Sequence, residues 1–202
     1  SVSIPVTVKC RIGVDEQDPE LALNAMAESV FSAGADALWV HARKAWLKGL
    51  SPKENREIPP LDYDLVYRLK ESLQERFIGI NGGIATLGAA KEHLNHVDGV
   101  MLGRVAYHEP GLLTGVDGLL SSLDIVGPEI REVVSTMAKY AARHIERGGR
   151  LNQVTRHMLG LFHGRPGART WRQMMSVDVS RPDADADLML RALDAVEMAR
   201  AA

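Results

Sequence analysis

Apolar positions follow two alternating rhythms over the first 120 or so residues. Short β-rich runs at Ile4 to Cys10, Ala37 to His41, Phe77 to Asn81 and Gly99 to Gly103 are separated by longer stretches in which apolar residues return every three or four positions. The short runs predict strands and the longer ones helices. Asp18-Pro19-Glu20 supplies an N-cap, a proline at the first helical position and an early acid, ahead of the stripe Leu21, Ala25, Met26 and Val30. Asp62 opens a second helix with Leu65, Val66, Leu69 and Leu73 in register, and Thr86 a third with Leu87, Ala90 and Leu94. Repeated βα alternation demands a parallel sheet with right-handed crossovers, doubly wound or closed into a barrel. Four strands leave two uncovered edges in either case. Because the Gly-rich turns follow the last two strands and not the first, the pattern favours a barrel over a dinucleotide-binding sheet.

After Gly127-Pro128 the strand signals stop, and helical patterns run from about 129 to 146, 152 to 162, 168 to 175 and 184 to 201. The expected organisation is α/β. Residues 1–122 read as the C-terminal half of a (β/α)8 TIM barrel, four βα units whose first half lies upstream, and residues 123–202 as an all-α helical domain.

Composition narrows the class without changing the fold. With 46% hydrophobic and 25% charged residues and a net charge of −2, the 202-residue chain matches ordinary globular usage. Its longest apolar-plus-glycine runs, such as Gly99 to Gly103 and Met158 to Phe162, fall far short of the roughly 18 residues a membrane-spanning helix needs. Cys10 is the single cysteine and no basic-then-apolar leader opens the chain, so a reducing cytoplasm is the expected compartment.

Side chains alternate along a strand, so parity separates a barrel-facing set from a helix-facing set. Val6, Val8, Cys10, Leu38, Val40, Ile78 and Ile80 form the aliphatic set, which assigns Cys10 to packing. The opposite set ends in Lys9, His41 and Asn81 near the strands' carboxyl ends, where barrel enzymes place their sites, and these three are expected to converge. Singly, each has a structural alternative: an interior ion pair for Lys9, a satisfied buried imidazole for His41, a turn residue for Asn81. Asn81-Gly82-Gly83-Ile84 lies between a strand and the helix capped by Thr86, and Gly103-Arg104 repeats the arrangement one strand later. Bare backbone at two successive loops, with Arg104 as charge partner, describes a phosphate site.

The connection from Ala42 to Pro60 far exceeds the usual ~2–6 residues of a βα loop and carries Arg43, Lys44, Lys48, Lys53 and Arg56 with Trp46. A solvated loop would also be charged. From Lys139 to Arg172, however, eight Lys or Arg face one acid, Glu146, a local charge of +7 that leaves −9 for the rest. So polarised a segment reads as a polyanion surface, with Arg165, Arg169 and Arg172 at near-helical spacing, while Trp171 beside them reads as core. The histidines show no metal-ligand spacing, so no metal is expected.

The strings Val8-Lys9-Cys10-Arg11-Ile12-Gly13, Trp39-Val40-His41-Ala42-Arg43, Ile80-Asn81-Gly82-Gly83-Ile84 and Val100-Met101-Leu102-Gly103-Arg104 resemble the C-terminal half of tRNA-dihydrouridine synthases. Lys48 to Arg56 and Thr155 to Phe162 are similar to the A subfamily in particular. The resemblance implies an FMN-containing TIM barrel followed by a tRNA-binding helical domain. Lys9 would contact the flavin ring, His41 the flavin nearby, and Asn81, Gly82, Gly83, Gly103 and Arg104 the ribityl phosphate. Lys53, Arg56, Arg169 and Arg172 match positions that hold tRNA. The implied reaction passes hydride from NADPH through FMN to C6 of a uridine, at positions 20 and 20a for the A subfamily, and a cysteine acid protonates C5. That cysteine belongs to a motif expected upstream, so no catalytic residue is assigned within this chain and the chain alone is expected to be inactive. Two other readings stay open: a non-catalytic RNA-binding remnant, and a phosphate-binding barrel enzyme for a small metabolite.

Overall fold

Aliphatic residues at alternate positions build four strands, β1 (Thr7–Arg11), β2 (Ala37–His41), β3 (Phe77–Asn81) and β4 (Gly99–Met101). The computed structural model describes residues 2–121, 125–181 and 183–201 and divides into two units, Ser1–Gly103 and Arg104–Ala202. The four strands form one sheet in the order β1-β2-β3-β4, every neighbour parallel. Crossovers run through α1 (Pro19–Ser32), α2 (Tyr63–Ser72) and α3 (Leu87–His93). Each begins at the residue whose side chain caps it: Asp18 accepts from the Glu20 and Leu21 amides, Asp62 from Leu65 and Thr86 from Ala89. β1 starts at Thr7 and not Ile4, since Pro5 has no N–H to donate to a ladder. β4 stops at Met101 and not Gly103, level with Asn81, where its partner strand ends and turns.

Parity holds in β2 and β3, whereas Val6 precedes β1 and stands exposed and Val8 and Cys10 are only half-buried. Leu38, Val40, Ile78 and Ile80 are fully buried beneath α1 and α2, which contribute Leu23, Ala27, Phe31, Leu65, Val66 and Leu69. On the opposite face Trp39 lies across β3 and β4. A Cβ at Gly79 would stand 2.2 Å from Trp39 Cε3, and one at Gly99 would stand 2.8 Å from Trp39 Cη2. Only glycine lets the indole lie against both strands. At the opposite end of the sheet one device occurs twice. Asp36, just before β2, accepts the Val6 N–H at 2.7 Å while its own N–H reaches the Val6 carbonyl at 2.8 Å. Asp98, just before β4, does the same with Ile78, at 2.9 and 3.0 Å.

The second unit contains α4 (Arg104–His108), α5 (Val116–Leu120), α6 (Ile130–Glu146), α7 (Leu151–Thr155), α8 (Ala168–Ser176) and α9 (Leu188–Ala201). The expected boundary at 122/123 lies outside the described residues; α4 and α5, which that boundary placed with the sheet, belong to the helical unit. The core gathers Val134, Ala138 and Ala141 from α6, Trp171 and Met175 from α8, and Met189, Ala192, Leu193 and Val196 from α9. Trp171 is fully buried, meets Phe162 edge-on at 4.9 Å, and donates its indole N–H to the Met158 carbonyl at 2.8 Å.

Two helix expectations need correction. The pattern over 152 to 162 continues as helix only to Thr155, after which turns carry Met158, Leu161 and Phe162 into the core. Gly160 sits hard against the His108 backbone, where a Cβ would lie 1.9 Å from the carbonyl oxygen, and the Met158 carbonyl is taken by Trp171. α9 begins at Leu188 and not at 184, because the Asp185 carboxylate takes the Leu188 N–H at 3.2 Å. No helix among the described residues is long and apolar enough to cross a membrane.

Candidate functional site

The carboxyl ends of the strands bring most of the expected first-unit residues to one face, in a different arrangement from the expected trio. In the ladder Arg11 stands opposite His41, and His41 opposite Asn81, while Lys9 stands one row earlier, opposite Trp39. Arg11 shares the parity of Lys9 and stands level with His41. Its Nη1 donates to the Lys44 and Asn55 carbonyls at 2.8 and 2.9 Å, so it anchors the long β2–α2 loop. Lys9 is exposed on the edge strand. Partial burial first, and then the Arg11 guanidinium, hold its ammonium below the ordinary lysine range. Cys10 lies on the aliphatic side, and burial pushes its thiol up to about 11, which leaves it protonated and unreactive at neutral pH.

Asn81-Gly82-Gly83 turns the chain out of β3. Asn81 Nδ2 donates to the Met101 carbonyl at 2.6 Å and its own carbonyl accepts the Ala42 N–H at 2.9 Å, so one residue ties β2, β3 and β4 together. Gly82 has φ 121° and Gly83 φ 69°, both in the region that favours glycine. A Cβ on Gly82 would also come within 2.7 Å of His41 Cδ2 and 2.9 Å of Leu61 Cδ2. His41, Asn81 and Gly82 are therefore in one cluster, with Gly83 exposed at its rim. The Tyr63 hydroxyl donates to the Gly82 carbonyl at 2.6 Å. Gly103, after β4, has open space where a Cβ would stand, and Arg104 opens α4 in the second unit.

The long loop is charged but specifically built. Asn55 closes it with its side-chain carbonyl on the Trp46 N–H and its amide on the Trp46 and Leu50 carbonyls, at 2.7, 2.7 and 3.2 Å. Ser51 and Glu54 cap one another's backbone amides, and the hydrogen bonds from Ser51 hold the Glu54 carboxyl below its ordinary value. Arg43 Nη1 donates to the Glu57 carbonyl at 3.1 Å and to the Pro59 carbonyl, while its Nε is buried without a partner among the described residues. Asp15, at φ 45°, and Ala45 bond the loop back to the β1–α1 turn. Lys53 and Arg56 stand exposed around the short turn Glu54–Arg56.

In the second unit Arg169 and Arg172 project from the solvent side of α8, opposite Ala168, Trp171 and Met175, and neither guanidinium has a hydrogen bond or ion pair among the described residues. Arg165 precedes α8 and instead lines a cavity of about 210 Å³ with Glu109 and His163, so the expected three-arginine face reduces to two. On α6 Lys139 and Arg143 are exposed four residues apart. No group of three or more His, Cys, Asp or Glu that could hold a metal occurs among the described residues.

Comparison with known proteins agrees with the family resemblance. The family model described as dihydrouridine synthase matches residues 1–197. A tRNA-dihydrouridine(20/20a) synthase of Shewanella oneidensis is 48% identical over 196 residues, 97% of this chain and 58% of its own length. Those of Salmonella typhimurium and Escherichia coli K12 are 50% and 48% identical over 196 residues, each covering 96% of this chain and 59% and 57% of their own. The chain thus spans somewhat over half the length of the curated relatives it matches. A family match over almost every residue, with relatives at this identity, means that the chain belongs to the dihydrouridine synthase family.

Proposed function

We propose that this chain is the C-terminal portion of a flavin-dependent tRNA-dihydrouridine synthase, half of a (β/α)8 barrel plus a helical tRNA-binding domain, reducing uridines 20 and 20a of tRNA. The observation that carries the proposal is the Asn81-Gly82-Gly83 turn, packed on His41 and level with Arg11, in a chain half identical to enzymes named for that reaction. The residues fit FMN. Gly83 is exposed with no hydrogen-bond partner for its N–H among the described residues, Gly103 is open on the side a Cβ would fill, and Arg11 lies at the same sheet end, opposite His41. Bound there, FMN supplies the relay of a hydride between NADPH and C6 of the uridine.

The chain's own groups act around that relay. The Lys9 ammonium stabilises negative charge on the ring system, His41 holds the cofactor beside it, and Asn81, Gly82, Gly83, Gly103 and Arg104 take the phosphate. Lys53 and Arg56 on the ordered loop, with Arg169 and Arg172 on α8, neutralise phosphates of a tRNA whose target base leaves its stack to reach the flavin. Cys10, protonated and turned toward the helices, takes no part in proton transfer. The proton donor to C5 is assigned to the portion of the enzyme preceding this chain.

The test is incubation of the complete protein with unmodified tRNA, FMN and NADPH, followed by mass spectrometry of nuclease fragments. Two added hydrogens confined to positions 20 and 20a are expected. Salt-sensitive tRNA binding with no flavin uptake would replace the proposal with a non-catalytic RNA-binding role, and flavin uptake without tRNA binding would indicate a small-molecule substrate.

A further inference from the structure

The Gly82–Gly83 peptide is held from one side by a group that neither the sequence motifs nor the cofactor assignment uses. Tyr63, at the first position of α2, places its hydroxyl 2.6 Å from the Gly82 carbonyl. A planar trans peptide points its C=O and the following N–H in opposite directions. Fixing the carbonyl toward Tyr63 therefore aims the Gly83 N–H away from it, out of the loop's packed side. Two successive glycines with φ 121° and 69° meet little steric resistance to rotation of the peptide between them. A rotated peptide would present its carbonyl oxygen where the N–H now stands, and an anion there would meet a partial negative charge.

Tyr63 is itself fixed by what surrounds it. The Asp62 N–H bonds the Ala42 carbonyl at 2.9 Å, and the Asp62 side chain caps Leu65, so the start of α2 is tied to the end of β2. The Tyr63 ring meets the His93 ring edge-on at 4.5 Å, and His93 Nδ1 is 2.6 Å from the Tyr67 hydroxyl. Tyr67 in turn stacks on His96 at 4.2 Å. Burial raises the Tyr63 hydroxyl above its ordinary value, so it remains a donor across the neutral range.

We infer that Tyr63 is a positioning residue for phosphate recognition: its hydroxyl locks the Gly82–Gly83 peptide with the Gly83 N–H presented to the phosphate of the flavin nucleotide. The inference rests on the proposed FMN reading and adds to it a specific prediction about phosphate selectivity. Tyr63→Phe removes the hydroxyl and keeps the ring against His93. In the complete protein stripped of cofactor, FMN and riboflavin affinities are measured by quenching of flavin fluorescence, for wild type and variant.

The expected result is that Tyr63→Phe loses about tenfold in FMN affinity while riboflavin affinity stays as in wild type, so that preference for the phosphorylated form collapses. Unchanged riboflavin binding also reports that the variant is folded. If both affinities fall together, or neither moves, Tyr63 is a packing residue only and the inference is overturned. If wild type binds no flavin, or binds FMN no more tightly than riboflavin, the FMN-phosphate reading fails first and takes the inference with it.

Discussion

Two pairs of arginines, one in each unit, are held in opposite ways. In the sheet unit Arg11 and Arg43 each bridge two backbone carbonyls, and Asn55 and Asn81 are satisfied from several directions. In the helical unit the guanidinium groups of Arg169 and Arg172 project into solvent with no hydrogen bond or ion pair among the described residues, above a core built almost entirely of apolar side chains. Fixed polar groups suit a small ligand that must be oriented to a fraction of an ångström. Mobile cations suit a large polyanion, where counterion release supplies affinity and geometry matters less.

The sharpest way to test this division is to damage one unit and ask whether the other responds. Trp171→Ala removes a fully buried indole and its hydrogen bond to Met158, at an expected cost of about 3–5 kcal/mol. The remaining tryptophans, Trp39 and Trp46, both lie in the sheet unit. Urea unfolding followed by circular dichroism should shift to lower denaturant while fluorescence keeps its wild-type midpoint; coincident shifts would show one cooperative body. The reciprocal change, Gly79→Ala, drives a methyl into the Trp39 ring and should destabilise the sheet unit by roughly 1–3 kcal/mol, visible as an altered Trp39 emission.

A smaller effect is expected from the surface. Arg169→Ala and Arg172→Ala together should weaken tRNA binding several-fold and lower the magnitude of the salt slope by roughly 1 per arginine, with flavin content unchanged. Loss of flavin would remove those arginines from the RNA-binding set. The smallest effect concerns His93, nearly buried in the sheet unit, where burial first and His96 second hold its imidazole below the ordinary 6.5. The unfolded chain then binds the proton that the folded one excludes, so stability falls as pH drops through 6.5 toward the lower folded value. Thermal melts of His93→Gln should show a flatter dependence across that window than wild type.

Parity in β2 and β3 was legible in the sequence, because period two is rigid: Leu38, Val40, Ile78 and Ile80 are buried where alternation requires. The caps Asp18, Asp62 and Thr86 were legible for the same local reason. Register was not. Whether Lys9 or Arg11 stands level with His41 depends on hydrogen bonds between strands far apart in sequence, and no single strand carries that information. The helix ending at Thr155 was missed because its cause is the His108 backbone, many residues away, pressing on Gly160. Tyr63 was invisible as a site residue, since its hydroxyl acts on a carbonyl and not on any recognisable motif partner.

The paired aspartates before β2 and β4 bear on how the sheet is assembled. Asp36 and Asp98 each join their strand to the preceding one with a reciprocal pair of bonds, across separations of 30 and 20 residues that enclose a single βα unit. Parallel pairing is slow when it must close long loops before any contact rewards it. Each carboxylate gives its unit a closing contact of its own, independent of the rest of the sheet. Folding can then proceed as the stepwise addition of pre-closed units, and Asp36→Asn or Asp98→Asn would slow that growth more than it would speed unfolding.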